Sequence, residues 1–287
     1  MSDSRNFALL GETLKHTMSP PIHKRLFEMR EREFHYELVE IKPEELKDNA
    51  EYLKSLNGFN ITIPHKIGII KYCDDLAESA KRYNSVNCVD SKDGKHTGYN
   101  TDCDGFLQTI RAMNVNFGGK VLLIGCGGVG RMMAIEAALA GADLVIAVLE
   151  RNMVSAANFK NEILAMKSDA KVNVVLTDDI DTSVEYDLLM NACPVGMYPN
   201  VDGCPVGDKV IEASKAVFDV IYNPRETVLM KKARALGKKA EGGMAMLVWQ
   251  AVSAHEIWDG DEYTDEEVKS IIDEMEILVE KNFSQGG

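Results

Sequence analysis

The fold of this chain is decided by the stretch Lys120-Val121-Leu122-Leu123-Ile124-Gly125-Cys126-Gly127-Gly128-Val129-Gly130. The apolar residues before the glycines predict a buried strand, and the amphipathic run 131–141 after them predicts a helix. In this arrangement Gly125 permits a tight turn, Gly127 lets the backbone approach a pyrophosphate, and Gly130 lets the helix pack close to the strand. Free N–H groups at the helix N-terminus would then bind the phosphates. The stretch therefore predicts a dinucleotide-binding turn.

A second predicted strand, 143–149, follows the helix and ends at Glu150. Glu150 comes at about the 20-residue spacing at which an acidic side chain accepts hydrogen bonds from a ribose. This spacing strengthens the glycine pattern, which is a weak signal when it stands alone. The alternative is a flavodoxin-like turn that binds no nucleotide.

Composition limits the classes of partner. The chain has 287 residues, 45% of them hydrophobic and 27% charged, which is typical of a globular protein of one or two domains. Its formal net charge of −13 argues against nucleic acid or an anionic membrane as a partner, because both require a basic surface. The six cysteines are scattered without the spacing of a zinc site, so we expect no bound metal and a reducing compartment. Residues 1–6 lack the features of a signal peptide, and we expect a cytoplasmic location.

Strands and helices alternate ahead of the glycine turn. The predicted strands are 7–10, 34–41 and 58–62, and the longer predicted helices are 20–30 and 44–56. Such alternation predicts a mostly parallel sheet with helices on both faces. A hairpin of 84–89 and 96–99 around Asp93-Gly94 should form an antiparallel edge of this sheet.

The alternation continues after the turn, and the chain then becomes helical. Predicted elements are helices at 154–166 and 227–236, with strands at 172–176, 187–191 and 216–221. We expect the two C-terminal helices, 245–258 and 265–282, to pack on the first domain because no strand lies between them. The predicted fold class is therefore α/β with two domains: a discontinuous substrate-binding and catalytic domain of residues 1–102 with 244–287, and a Rossmann dinucleotide-binding domain of residues 103–243.

Two candidate catalytic groups follow strand ends in the first predicted domain. Lys66 stands at the start of a short helix, where the helix dipole disfavours a cation, so its position calls for an explanation other than local stability. Asp102 follows another strand end, and a carboxylate beside Lys66 would orient the amine. Such a pair can carry the proton that accompanies hydride transfer at an alcohol. The alternatives are a solvated surface lysine and, for Thr101 and Asp102, helix caps.

Seven motifs, spread over nearly the whole chain, resemble in order those of the shikimate dehydrogenase family, which includes the quinate/shikimate dehydrogenases. They are His16–Pro20 (family pattern HSxSP), Asn60–Lys66 (NVTxPxK), Ser85–Asn87 (AVN), Tyr99–Phe106 (GxNTDxxGF), Gly125–Arg131 (GxGGxxR), Asp219–Thr227 (DxxYxPxxT) and Gly242–Gln250 (GxxMLxxQ). Single motifs of this kind recur by chance, whereas an ordered set does not.

The resemblance implies reversible reduction of 3-dehydroshikimate to shikimate by NAD(P)H. Lys66 would be the proton donor or acceptor at the reacting oxygen, and Asp102 its partner. Substrate contacts are implied for the following residues: Thr17 and Ser19 at the carboxylate, Tyr222 near it, and Thr62, Asn87 and Gln250 at the ring hydroxyls. Thr62 could instead only cap a helix, and Gln250 could only bridge core helices.

The resemblance also implies a set of cofactor contacts. They are Gly125, Gly127, Gly128, Val129, Gly130, Glu150, Arg151, Cys193, Met197, Val220 and Gly243. The histidines in or near the motifs, His16, His23, His65 and His255, are interpreted as structural.

Two departures from the family pattern bear on specificity. Thr17 stands where shikimate-specific members usually have serine, close to the carbon at which quinate carries an extra hydroxyl, so quinate remains an alternative substrate. Glu150 and Arg151 stand where NADP-dependent members tend to have Asn-Arg. Repulsion between Glu150 and a 2′-phosphate should outweigh the attraction of a flexible, solvated Arg151, so we expect NAD to be favoured over NADP.

Three alternative functions stay open. They are a quinate-preferring enzyme, a folate-type dehydrogenase, and a regulator that binds metabolite and cofactor without turnover. Retention of both Lys66 and Asp102 argues against the regulator, and the polar set fits a small hydroxy acid better than a pterin. We expect a small hydroxy acid, shikimate or quinate, as the partner and a monomer or homodimer as the assembly.

Overall fold

The computed structural model describes residues 5–15 and 17–283. Contacts divide the chain into two units, Met1–Gly105 with Leu247–Met275 and Phe106–Met246 with Glu276–Gly287. Each unit is built on its own six-stranded sheet. The chain therefore has the predicted two-domain α/β architecture.

The elements alternate along most of the chain. The strands are β1 Arg5–Gly11, β2 Phe34–Glu40, β3 Gly58–Ile61, β4 Asp75–Leu76, β5 Cys88–Lys92, β6 Lys95–Tyr99, β7 Lys120–Ile124, β8 Asp143–Val148, β9 Lys171–Leu176, β10 Leu188–Asn191, β11 Ala216–Asp219 and β12 Lys239–Gly242. The α-helices are α1 Ser19–Met29, α2 Ala50–Lys54, α3 His65–Gly68, α4 Glu78–Tyr83, α5 Asp102–Met113, α6 Gly128–Leu139, α7 Met153–Met166, α8 Asp208–Glu212, α9 Val228–Ala235, α10 Gly243–Asp259 and α11 Asp265–Phe283.

The first sheet is mixed, with the order β2-β1-β3-β5-β6-β4. β1 pairs in parallel with β2 and β3, and the hairpin β5–β6 joins antiparallel to β3. Asp93 and Gly94 turn the hairpin with φ of 55° and 74°, the left-handed pair that a tight two-residue turn requires. The hairpin is not the edge that the sequence predicts, because Asp75–Leu76 adds outside it in parallel with β6. A two-residue strand carries too little alternation to be detected.

The predicted helix 44–56 is interrupted. A 3₁₀ turn, Pro43–Glu45, is followed by the short helix α2, with Asn49 between them. The side-chain amide of Asn49 donates from Nδ2 to the Glu45 carbonyl at 2.9 Å. A local bond of this kind competes with a continuous helix. Two buried side chains suggest one helix, but Leu46 lies at the end of the 3₁₀ turn and Leu53 lies in α2.

The second sheet is entirely parallel, with the order β12-β11-β10-β7-β8-β9. Numbered within the unit, this is the order 6-5-4-1-2-3 of a dinucleotide-binding fold, whose winding reverses between its first and fourth strands, here β7 and β10. The edge strand β12 and the short helix α8 were not predicted from the sequence. Both are brief and carry exposed lysines, so neither shows a clear apolar period.

The last helix is shared between the units. α11 leaves the first unit after Met275, and in the second unit Arg225 pairs with Glu276 and Glu280. The expectation that both C-terminal helices pack wholly on the first domain therefore does not hold for the end of α11.

None of the helices within residues 5–15 and 17–283 combines the length and apolarity needed to cross a membrane.

Candidate active site

In the first unit, a polar cluster forms at the end of the sheet where β1, β3 and β6 finish and β5 begins. Lys66 lies in α3, five residues after β3 ends at Ile61. Its carbonyl accepts from Val86 N at 2.8 Å, which ties the lysine's turn to the segment before β5. This hydrogen bond fixes the backbone from which the Lys66 amine extends.

Lys66 and Asp102 form an ion pair, with 2.5 Å between Nζ and Oδ2. Their side chains are 24% and 19% exposed, so both groups keep a face open to solvent or ligand. A second carboxylate oxygen, Oδ1, accepts from Asn87 Nδ2 at 2.9 Å. Asp102 is the first residue of α5, where the helix dipole stabilises a negative charge. The structure therefore brings together the two predicted catalytic residues and Asn87.

The side chains of Asn87 and Gln250 and the Thr101 hydroxyl lie within hydrogen-bond distance of one another. Thr101 Oγ1 is 3.1 Å from Asn87 Nδ2 and 3.4 Å from Gln250 Oε1. Gln250 lies in α10 and donates from Nε2 to Leu247 O at 3.0 Å. Asn87, Thr101 and Gln250 are 2%, 0% and 6% exposed. Buried polar groups are costly unless they are paired, so this cluster is held in one arrangement.

Thr62 follows β3 directly, at the same end of the sheet. Its amide donates to Leu10 O at 2.8 Å, and its carbonyl accepts from His65 N at 3.0 Å. Its methyl group packs beside Gly11, where an added Cβ would come within 2.8 Å of Thr62 Cγ2. The backbone on both sides therefore fixes the direction of the half-exposed Thr62 side chain.

Thr17 and Ser19 are placed at the start of α1. Thr17 Oγ1 accepts from Ser19 N at 3.2 Å, which leaves the Thr17 hydroxyl proton available to a ligand. Ser19 is buried, at 8% exposure. His16, interpreted as structural, lies outside the described residues.

The histidines His23, His65 and His255 are buried, and each bonds within the protein. His65 Nε2 donates to Ile41 O at 2.6 Å, beneath the turn that carries Lys66. His23 and His255 bond to each other at 3.1 Å.

In the second unit, the glycine turn sits at the end of β7, where the winding reverses. Gly125 has φ of +93°, and an added Cβ at Gly130 would come within 2.8 Å of Gly125 O. By contrast, a Cβ at Gly127 would meet no atom within 4 Å. Gly125 and Gly130 are thus required by the protein's own packing, and Gly127 faces open space. That open space fits the approach of a pyrophosphate.

The helix after the turn begins earlier than the sequence predicts. α6 starts at Gly128, not at residue 131, with Gly127 as its N-cap. The turn itself is thereby wound into the first turn of helix, so the N–H groups of Gly128 and Val129 belong to the unpaired set at a helix N-terminus. A helix of 12 residues with this start can bind an anion through its backbone.

A buried polar network supports the neighbouring loop of the second unit. Asp219, at the end of β11, accepts from Asn191 Nδ2 at 2.9 Å and from Thr227 Oγ1 at 2.8 Å. Burial raises the pKa of the Asp219 carboxyl. Asn191 Oδ1 also accepts from Cys193 N at 3.1 Å, which fixes the start of the loop that contains Met197. Asp219 and Thr227 belong to a sequence motif, but neither they nor Asn191 was predicted to have a role. The available sequence signal is that polar residues end two apolar strands.

Gly243 and Val220 are in close contact at the start of α10. An added Cβ at Gly243 would lie 1.9 Å from Val220 O, so only glycine fits. Tyr222 follows in the same unit and is half-buried, and burial raises the pKa of its phenol. Tyr222 thus belongs to a different unit from the other predicted substrate contacts.

One cluster has the composition of a metal site. Ligand atoms of His255, Asp259 and Asp261 lie within 4.8 Å of one another. Arg5 pairs with Asp259, and Arg32 pairs with Asp261 at 2.5 Å. These guanidinium groups already supply the positive charge that a cation would bring.

Comparison with known proteins shows similarity to one family. A family model described as the shikimate dehydrogenase substrate binding domain matches residues 9–89. A shikimate dehydrogenase (NADP(+)) of Caldanaerobacter subterraneus is 35% identical over 263 residues, covering 91% of this chain and 93% of that protein. A crystal structure of a shikimate dehydrogenase in complex with NADP+ is 32% identical, with a TM-score of 0.85 and coverage of 96% of both chains. The Thermus thermophilus shikimate 5-dehydrogenase in complex with NADP(H) and shikimate is 27% identical, with a TM-score of 0.81, covering 94% of this chain and 99% of that one.

The expectation that NAD is favoured over NADP is wrong. The relatives are named for NADP+, and a structure similar to this chain holds it. The error lies in the weight given to Glu150. Both Glu150 and Arg151 are exposed in a 3₁₀ turn after β8, so the carboxylate can rotate into water, where its repulsion is screened. Arg151 is equally free to form the paired hydrogen bonds that guanidinium makes with phosphate.

Proposed function

Since this chain belongs to the shikimate dehydrogenase family, we propose that it interconverts shikimate and 3-dehydroshikimate by hydride transfer with NADP, using Lys66 and Asp102 for the proton. The observation that carries the proposal is the half-buried ion pair of Lys66 and Asp102, with the Asn87 amide on the second carboxylate oxygen. An amine held in this way reaches the reacting oxygen at a fixed angle.

The pair has a defined task in each direction. During reduction the Lys66 ammonium polarises the ketone of 3-dehydroshikimate and donates a proton to its oxygen. NADPH, when bound, supplies the hydride to the ring carbon. During oxidation Lys66 accepts the hydroxyl proton. Asp102 keeps the amine in place and accepts a hydrogen bond from the substrate.

The first unit is proposed to bind the substrate. Thr17 and Ser19 would donate to the carboxylate, and two features support this: both lie at the start of α1, and the Thr17 proton is unused by the Ser19 bond. Thr62, Asn87 and Gln250 would bind the ring hydroxyls. The family motif that contains Tyr222 makes this residue a further proposed carboxylate contact.

The second unit is proposed to bind NADP. Gly125, Gly127, Gly128, Val129 and Gly130 would hold the pyrophosphate, and the open space at Gly127 supports this. Arg151 would bind the 2′-phosphate. Cys193, Met197, Val220 and Gly243 would lie along the nicotinamide, on loops fixed by the Asp219 network.

Quinate is the second candidate substrate, and the observation that favours it is Thr17. Its extra methyl group changes the site proposed for the substrate carboxylate, beside the carbon that carries the additional hydroxyl of quinate. The proposed assembly is a monomer or homodimer, to be measured by light scattering.

The test is the initial rate of NADPH formation with shikimate and with quinate. The proposal predicts turnover of shikimate with NADP and a kcat/KM in the ordinary range of about 10⁴–10⁸ M⁻¹s⁻¹. Preference for quinate would assign the protein to quinate oxidation. Absence of turnover with both acids would contradict the proposal.

A further inference from the structure

We infer that Thr101 is a positioning residue that sets which atoms of the substrate-hydroxyl site donate and which accept. The inference rests on the proposed function. Its basis is the set of contacts that the Thr101 backbone and hydroxyl make with Asn87 and Gln250, two residues proposed to bind the ring hydroxyls.

The backbone of Thr101 fixes the orientation of the Asn87 amide. Thr101 N donates to Asn87 Oδ1 at 2.7 Å. With its oxygen held there, the amide must direct Nδ2 to its other side, where Asp102 Oδ1 accepts at 2.9 Å. Asn87 therefore acts on Asp102 only as a donor.

The Thr101 hydroxyl in turn influences the orientation of the Gln250 side-chain amide. The second proton of Asn87 Nδ2 points to Thr101 Oγ1 at 3.1 Å, so the threonine oxygen accepts. A hydroxyl has one proton, and two acceptors are in reach: Asn87 Oδ1 at 3.3 Å, which already accepts from Thr101 N, and Gln250 Oε1 at 3.4 Å. Gln250 Oε1 also accepts from Asn87 Nδ2 at 3.4 Å, so Thr101 and Asn87 together hold this oxygen, and Nε2 keeps one proton after its bond to Leu247 O at 3.0 Å.

The result is a site in which the donor atom and the acceptor atom are each fixed. Gln250 Nε2 presents a donor and Asp102 presents an acceptor, a combination that matches a hydroxyl, which both accepts and donates. Thr101 is 0% exposed, so it acts through its neighbours and not by touching the substrate. Without the Thr101 hydroxyl, Gln250 Oε1 keeps only the 3.4 Å bond from Asn87 Nδ2, so the amide is held less firmly and rotates more readily to present its oxygen, which would leave a substrate lone pair unpaired.

The test compares three single variants. Thr101→Val removes the hydroxyl, keeps nearly the same shape and retains the backbone bond to Asn87. Thr101→Ser keeps the hydroxyl. Thr109→Val is the matched control, because Thr109 is likewise a buried threonine, at 1% exposure in α5, and has no role in the proposed site. Thermal unfolding of each variant measures any loss of stability separately.

The inference predicts that Thr101→Val lowers kcat/KM for shikimate about tenfold, the usual effect of one lost hydrogen bond, and leaves KM for NADP unchanged. Thr101→Ser should retain most of the activity, and Thr109→Val all of it. With a shikimate analogue that lacks the ring hydroxyl next to the reacting one, the loss caused by Thr101→Val should largely disappear, because that hydroxyl carries the effect.

An equal loss with shikimate and with the analogue would overturn the inference, as would wild-type activity in Thr101→Val or equal losses in the serine and valine variants. The wild-type rate with shikimate distinguishes failure of the proposed function from failure of the positioning role of Thr101. If the wild type does not turn over shikimate, the proposed function fails. If the wild type is active and Thr101→Val behaves like it, only the positioning role fails.

Discussion

Asp102 is held by three contacts of different kinds. Lys66 bonds to one carboxylate oxygen, Asn87 to the other, and Asn100 Oδ1 accepts from the Asp102 amide at 3.2 Å. The first two contacts compensate the partial burial of a charge. The third fixes the backbone at the start of α5. The carboxylate is therefore oriented before any ligand arrives.

Asp102→Asn should lower kcat by roughly a hundredfold, the low end of the range for a positioned proton-transfer group. The asparagine keeps the size of the side chain but removes the charge that holds Lys66. The measurement is steady-state shikimate oxidation with saturating NADP. Asp104→Asn, which removes the same charge from the same helical turn, is the control and should remain active. Equal rates in the two variants would refute the role of Asp102.

Arg151→Ala should raise KM for NADP by about tenfold or more, because a charged hydrogen bond to phosphate contributes about 1.5–3 kcal/mol. NAD lacks the 2′-phosphate and serves as the control within the same variant, so its KM should change little. A parallel rise for both cofactors would mean that Arg151 does not bind the 2′-phosphate.

The N-terminus of α11 is stabilised by a capping box and by an ion pair. Thr264 Oγ1 accepts from Glu267 N at 3.2 Å, and Glu267 Oε2 accepts from Thr264 N at 2.8 Å. Arg30, at the end of α1, donates to both Glu267 oxygens at 2.9 and 2.8 Å. These bonds, with the Arg30 hydrogen bond as the largest cause, lower the pKa of Glu267 to about 2.

Glu267→Gln should therefore destabilise the protein at neutral pH by about 1 kcal/mol, the scale of a well-formed partly exposed pair. A carboxyl with a lowered pKa in the folded state stabilises above its unfolded value, about 4.3, and loses this contribution as pH falls toward its folded value. The difference between variant and wild type should thus shrink below about pH 4.3. Urea unfolding at a series of pH values measures it. Glu266→Gln, an exposed neighbour of equal charge, should show no comparable difference.

Sequence periodicity predicted the longer elements because each has a consistent apolar face. It failed where local polar contacts or very short length decide the structure, as at Asn49, which separates the 3₁₀ turn from α2, and at β4. The pairing of Lys66 with Asp102 was predictable because each follows a strand end at one edge of a sheet. The bonds of Thr101 were not, because Thr101, Asn87 and Gln250 are far apart in sequence and only the fold brings them together.

The first unit buries two histidines against each other. His23 of α1 and His255 of α10 are both 0% exposed, with stacked rings 5.2 Å apart. Burial lowers the pKa of His23 well below its usual value. Burial, with a smaller effect of Arg32, Arg5 and Arg30, lowers the pKa of His255 to about 3. Both rings are therefore neutral in the folded protein.

The unfolding free energy should therefore decrease with acidification. The unfolded chain protonates these histidines below about pH 6.5, whereas the folded protein does not until a lower pH, so each contributes a slope of up to about 1.4 kcal/mol per pH unit. His23→Asn replaces the imidazole, whose Nδ1 lies 3.1 Å from His255 Nε2, with an amide and removes one titrating group. We expect its acid slope to be smaller by about 1.4 kcal/mol per pH unit.

Urea unfolding followed by tryptophan fluorescence measures this slope, because Trp258 lies 5.5 Å from the His23 ring. His35→Asn, at an exposed position of β2, is the control. Equal slopes in His23→Asn and the wild type would show that His23 is protonated in the folded protein.

Lys66 is proposed to carry the proton of NADP-dependent shikimate oxidation, and the kcat of Lys66→Met is the decisive measurement. Methionine retains the length of the side chain without a titrating group. The proton-transfer role of Lys66 predicts a fall in kcat of about 10²–10⁴-fold. The kcat of Lys71→Met, at an exposed lysine five residues away, should be unchanged. A Lys66→Met enzyme that oxidises shikimate at the wild-type rate would contradict this role.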